Sequence, residues 1–211
     1  MANRDYKNFA MGECYHVFNR GTGKMDIFKD AADYGFFLKR LKENLYPDTW
    51  APSAGDRYVR KLLPAGAFDL VCYCLMPNHF HLCIRQNTEL PISALMVKVC
   101  GGYSKYFNRK YSRVGSVLQD QFKSAHADTN EYLLWLSAYI HQNPQVAGLV
   151  GDLISYPWSS YPEYVQEQEG MRCKKDLLLE QFKNKNQYCA FVADSFDSIK
   201  NKKDLAHLLI D

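Results

Sequence analysis

Phe68-Asp69-Leu70-Val71-Cys72-Tyr73-Cys74-Leu75, then Met76-Pro77-Asn78, then His79-Phe80-His81-Leu82-Cys83-Ile84-Arg85-Gln86, reads as two apolar strands joined by a tight hairpin connection. Successive side chains of a strand point to opposite faces, so His79 and His81 share one face roughly 6 to 7 Å apart, while Phe80, Leu82 and Ile84 cover the other. Two imidazoles placed this way can close on one divalent metal at about 2.1 Å each, although a half-buried strand that merely carries two histidines gives the same pattern. With a two-residue Pro77-Asn78 loop, Cys74 lies across from His81 and Cys72 across from Cys83, which opens a thiolate-rich zinc site as an alternative.

Outward from the hairpin, Cys14 to Arg20 reads as a first strand ended by Gly21-Thr22-Gly23. That glycine pair is no phosphate loop, because the first glycine of the motif and the Ser/Thr after Lys24 are missing. From Asp30 to Asn44, Tyr34, Phe37, Leu38 and Leu41 recur at spacings of three and four, as on an amphipathic helix. Pro47, Pro52, Ser53 and Gly55 make the next stretch a loop. Pro91 opens a second helix running to about Lys110, with Leu95, Val99, Tyr103, Tyr106 and Phe107 inward.

Gly115 to Ala127 is expected to form a last strand, and Asn130 to cap a helix from Glu131 to Asn143 that Pro144 stops. The order strand, helix, strand, strand, helix, strand, helix predicts an α+β fold. It is a ferredoxin-like split βαβ sandwich with an antiparallel sheet, an added helix and a small helical C-terminal tail. The hairpin then puts both histidines on a central strand. Gln166 to Gly170 is the expected junction, dividing the chain into residues 1–165 and an extension over 166–211.

Composition narrows the class. With 211 residues and 47% hydrophobic content the chain can build one ordinary core. No stretch approaches the roughly 18 apolar residues of a membrane helix, so a soluble cytoplasmic protein without membrane attachment is expected. Seven cysteines, an odd number set mostly in apolar patterns, read as reduced core residues. The net charge of +3 is localised: Val165 to Asp211 holds eight basic and eight acidic residues, so the surplus belongs to the first 164. Between Tyr103 and Ser124, Lys105, Arg109, Lys110, Arg113 and Lys123 face Asp120 alone, a basic stripe suited to a polyanion.

On the helix from Glu131 to Asn143, Leu133, Leu136 and Ile140 form a core stripe. Tyr132, Trp135, Tyr139 and Asn143 form a neighbouring one, with the Tyr139 phenol and Asn143 amide one turn apart on a partly exposed face. A phenol beside a carbonyl-type metal ligand suits a tyrosine nucleophile, because a nearby cation favours the phenolate. Spacing alone better supports the plainer arrangement, in which Tyr139 caps the core and Asn143 ends the helix.

Several blocks in order then resemble the HUH single-tyrosine transposases of the insertion-sequence two-hundred class, and among them the REP-associated tyrosine transposases. They are Tyr15-His16-Val17 with Arg20-Gly21, Leu75 to Leu82, Tyr106-Phe107-Asn108-Arg109, Gln121-Phe122-Lys123-Ser124, Tyr139-Ile140-His141-Gln142-Asn143-Pro144 with Ala147 to Val150, and Trp158-Ser159-Ser160-Tyr161. The resemblance implies that His79 and His81 bind Mg²⁺ or Mn²⁺ with Asn143 as amide ligand, and that Tyr139 is the nucleophile. It further implies cleavage and rejoining of single-stranded DNA with hairpin or palindromic ends through a 5′-phosphotyrosine. A domesticated hairpin-binding protein without strand transfer is the alternative.

Lys105, Arg109 and Arg113, at spacings of four, are candidates to track phosphates, with Tyr106 or Tyr111 as stacking faces; packing in the core serves those rings equally well. Arg20 and Lys123 join these DNA-binding candidates mainly through the resemblance. Two positions depart from the family pattern: Asp120 stands where relatives usually have glycine, and Gln142 replaces an apolar residue and competes with Asn143 as the amide ligand. Relatives act as dimers that share a tyrosine helix or as monomers, which leaves a homodimer open.

Overall fold

The structure, a computed structural model, describes residues 9–49, 61–166 and 170–201. The expected loop positions Pro52, Ser53 and Gly55 lie outside them. Strand β1 (Cys14–Arg20) is followed by α1 (Ala31–Leu45), β2 (Phe68–Met76), β3 (His79–Gln86), α2 (Ile92–Lys110), β4 (Lys123–Ala127) and α3 (Asn130–Val146). Four short helices complete the described chain: α4 (Tyr161–Val165), α5 (Asp176–Leu179), α6 (Lys185–Asp194) and α7 (Phe196–Asn201). The strands form one sheet in the order β2-β3-β1-β4 with every pairing antiparallel, the expected ferredoxin-like arrangement with β3 inside.

Alternation along β3 sorts the two layers. Phe80, Leu82 and Ile84 are fully buried, and the ring of Phe80 meets Phe37 of α1 at 5.0 Å, which in turn meets Tyr103 of α2 at 5.3 Å. Helices α1 and α2 therefore cover that face. On the other face His81 meets Tyr139 of α3, so α3 covers the histidine side. Among the described residues no helix is long and apolar enough to cross a membrane.

Local chemistry sets the element ends. Asp30 caps α1 by accepting from the Asp33 amide, and the Gln86 side chain accepts from the Ile92 amide at the start of α2. Three expected boundaries move. Of the stretch Gly115 to Ala127, only Lys123–Ala127 pairs continuously with β1; upstream, Leu118 makes a single bridge to Gly21. Asp120 explains the break, because its φ of +43° is left-handed and departs from the pleat. This is the position where a glycine was expected.

The cap of α3 is Thr129, not Asn130: its side chain accepts from the Tyr132 amide at 3.1 Å. Pro144 does not stop the helix, which runs on to Val146. A Schellman motif ends it, with Gly148 at φ +71°, its amide on the Gln145 carbonyl and the Leu149 amide on the Pro144 carbonyl.

The chain after α3 covers the outer edge of β2. Leu75 donates to the Trp158 carbonyl, Ser160 to that of Tyr73 and Lys174 to that of Leu70. Farther on, the C-terminal helices lock onto α3. The fully buried Tyr188 hydroxyl lies 3.1 Å from Ser137 Oγ and 2.9 Å from His141 Nδ1, and His141 Nε2 lies 2.8 Å from Ser160 Oγ. Each His141 ring nitrogen thus has a hydroxyl partner, one serving as donor and the other as acceptor. Tyr188→Phe should therefore cost about 1 to 2 kcal/mol, because it strands two buried polar partners; a urea unfolding curve measures this.

Candidate active site

Both histidines come from the inward-facing positions of β3 that the pleat sets, and their rings stand perpendicular with centroids 4.9 Å apart. His79 sits at the rim. Its Nδ1 is 2.5 Å from Asn78 Oδ1, and because an amide oxygen only accepts, this bond places the His79 proton on Nδ1 and its lone pair on Nε2. His81 is fully buried, with Nδ1 2.9 Å from Nε2 of His16, which β1 brings in from the next strand. Burial pushes the His16 imidazole down to about 3 and holds His81 well below the usual range, with the neighbouring His79, His16 and Arg20 charges adding to the effect on His81.

Tyr139 reaches this pair from α3. Its ring stands edge-on to His81 at 5.4 Å and to His16 at 6.1 Å, and stacks on Trp135 at 5.5 Å, which stacks in turn on Tyr132. The phenol is 7% exposed, so the expected partly exposed face is in fact buried against the imidazoles. One turn on, Asn143 donates its amide nitrogen to the Tyr139 carbonyl at 2.9 Å. Gln142 turns to the C-terminal helices, where its amide nitrogen donates to the Val192 carbonyl.

Two observations bear on a cation at this place. His81 Nε2 is a buried nitrogen with no hydrogen-bond partner, as a nitrogen reserved for a ligand would be. The strand register puts Cys74 across from His81 and Cys72 across from Cys83, as the hairpin predicts, but burial pushes both Cys72 and Cys74 thiols up. No group of three His, Cys, Asp or Glu side chains among the described residues could hold a metal. The buried, partnerless Nε2 of His81 beside His79 fits a cation held through imidazole nitrogens, and the zinc-thiolate alternative loses its support.

Residues 48–143 match the family described as "Transposase IS200 like", a span that contains His79, His81 and Tyr139 and ends at Asn143. Over these residues the chain is similar to the IS200-like transposases. A search of curated proteins finds no match. Among solved structures the chain is similar to a REP-associated tyrosine transposase bound to a REP hairpin. The TM-score is 0.55 at 12% identity, over 81% of this chain and 90% of that one, a likeness of fold.

The basic candidates separate into two groups. Arg20 pairs with His79 across the β1–β3 ladder, and Lys123 pairs with Phe18, which itself faces His81, so Arg20 and Lys123 share the histidine face. Lys105 and Arg109 are exposed on α2, across the sheet, where with Phe36, Arg40, Val97 and Lys98 they line a groove. Arg113 is half-buried, with Nη1 2.8 Å from Met25 Sδ. The proposed stacking faces are already engaged. Tyr106 stacks on Phe36 at 3.9 Å, and the Tyr111 hydroxyl donates to Asp33 while Lys29 lies over its ring.

Two residues at the site carry no role in the sequence reading, His16 and Asn78. Asn78 was visible only as a turn residue. His16 shares the alternation phase of Arg20, but its approach to His81 depends on the β1–β3 register, which appears only in the folded sheet.

Proposed function

We propose that this protein is a transposase that cleaves and rejoins single-stranded, hairpin-containing DNA through a 5′-phosphotyrosine on Tyr139. The observation that carries the reading is the approach of Tyr139 to the histidine pair, edge-on to His81 at 5.4 Å. His79, His81 and Asn143 would hold Mg²⁺ or Mn²⁺, which supplies Lewis acidity toward a phosphate oxygen. The Tyr139 oxygen attacks phosphorus, the P–O3′ bond breaks, and the leaving 3′ oxygen takes a proton. Phosphodiester energy is kept in the phosphotyrosine, so rejoining needs no ATP. Arg20 and Lys123, on the same face, would hold the scissile strand. The similar REP-associated transposase is bound to a REP hairpin, which supports a hairpin as the ligand class here. We read residues 1–165 as the transposase unit and 166–211 as its extension.

Incubation with a single-stranded hairpin oligonucleotide should give cleavage with Mg²⁺ or Mn²⁺ and none in excess chelator, with the matching duplex left intact. Equal cleavage in chelator would overturn the reading. Lys105 and Arg109 would bind DNA backbone away from the histidines. Each changed to Ala should weaken hairpin binding severalfold and flatten the log–log salt slope by about one, with cleavage at saturating DNA retained. A titration at several salt concentrations checks this.

A further inference from the structure

The structure assigns His16 as the positioning residue that fixes His81 in the Nδ1–H tautomer. His16 is 1% exposed and His81 0%, their nitrogens are 2.9 Å apart and their ring planes differ by 23°, so one shared proton lies close to both planes. Either nitrogen could own that proton. With His81 as donor, its Nε2 is a bare lone pair and the orphan His16 nitrogen, Nδ1, carries a proton. In the reverse arrangement His81 Nε2 is itself protonated and can bind no cation. His79 shows the same plan, since Asn78 Oδ1 obliges its Nδ1 to be the donor. Both histidines then present Nε2 lone pairs from one strand face.

The His16 ring is held in place by Phe18 at 4.5 Å and by the edge of Tyr139 at 6.1 Å, so packing and hydrogen bond fix the same orientation. The choice of an imidazole acceptor has a chemical consequence. Ligating histidines commonly donate to a carboxylate or a carbonyl. A neutral imidazole fixes the tautomer and adds no negative charge, which leaves the cation's charge for a phosphodiester. Both the choice of tautomer and this consequence rest on the reading of His79 and His81 as metal ligands.

Long-range ¹H–¹⁵N NMR of the histidine rings in metal-free protein reads the tautomers directly. We expect His81 with a protonated Nδ1 and a bare Nε2, and His16 with a bare Nε2; a protonated His81 Nε2 would overturn the assignment. Mn²⁺ binding, followed by the EPR signal of the free ion, supplies the second readout. His16→Leu should weaken affinity by about 10- to 100-fold, as loss of an outer partner does. His16→Gln places an amide oxygen where Nε2 lies and should restore most of it. Unchanged affinity in His16→Leu, or a His16→Gln variant as weak as His16→Leu, would also overturn the role. If His79→Ala leaves Mn²⁺ affinity unchanged, the metal reading fails by itself, while the tautomer measurement still decides the His16 pairing. Should His16→Leu not fold, the wild-type spectrum and His16→Gln carry the test.

Discussion

Tyr139→Phe is expected to give a folded protein that binds hairpin DNA and forms no covalent adduct. The change removes one oxygen from a buried ring and keeps its edge-on packing against His81 and His16 and its stacking on Trp135. Loss of a phenolic oxygen costs about 0.5 to 1.5 kcal/mol, a small part of the roughly 5 to 15 kcal/mol of an ordinary domain. Chemistry should suffer far more. Removing a covalent nucleophile lowers turnover on the order of 10⁵- to 10⁶-fold, since no other group inherits its place. Denaturing electrophoresis of the variant with labelled hairpin should show no shifted band beside a normal melting transition. An adduct of undiminished yield would remove Tyr139 from the mechanism.

His79→Ala should abolish cleavage with nearly as large an effect, while hairpin affinity stays within a few-fold of wild type. Affinity for DNA comes mostly from phosphate contacts, and the change leaves Lys105, Arg109 and Lys123 in place. His79 is the better of the two histidines to change. It lies at the rim, 8% exposed, whereas His81 is enclosed by His16, Phe18 and Tyr139. His81→Ala would empty a packed ring position at about 3 kcal/mol or more, so lost activity there would mix chemistry with stability. Cleavage and binding assays on His79→Ala, with a thermal melt, separate the two. Metal-dependent cleavage that survives in His79→Ala would contradict the ligand assignment.

The hairpin was legible because alternation, apolar runs and a Pro-Asn turn all agree, and the observed register repeats the expected pairings of Cys74 with His81 and Cys72 with Cys83. The two crossover helices followed from their periodicity. Boundaries set by single dihedrals or hydrogen bonds were not legible: the left-handed Asp120 that interrupts the last strand, the Thr129 cap, and the Schellman end that lets α3 pass Pro144. Periodicity also says which side of a helix is apolar without saying which face of the sheet the helix covers. For that reason the spacing of Lys105 and Arg109 does not tell which face of the sheet they serve, and α2 carries them on the layer opposite the histidines. The burial of Tyr139 has the same origin, since its partners His81 and His16 belong to strands far away in sequence.

The central claim is that Tyr139, alone among fifteen tyrosines, becomes joined to DNA. Wild-type protein incubated with Mg²⁺ or Mn²⁺ and a hairpin substrate labelled on the 3′ side of the cut, then denatured, digested and mapped by mass spectrometry, tests it most directly. The account predicts a denaturation-resistant adduct whose 5′-phosphate sits on the peptide carrying Tyr139. A label on Tyr132, Tyr103 or Tyr106, or cleavage without any adduct, would contradict it.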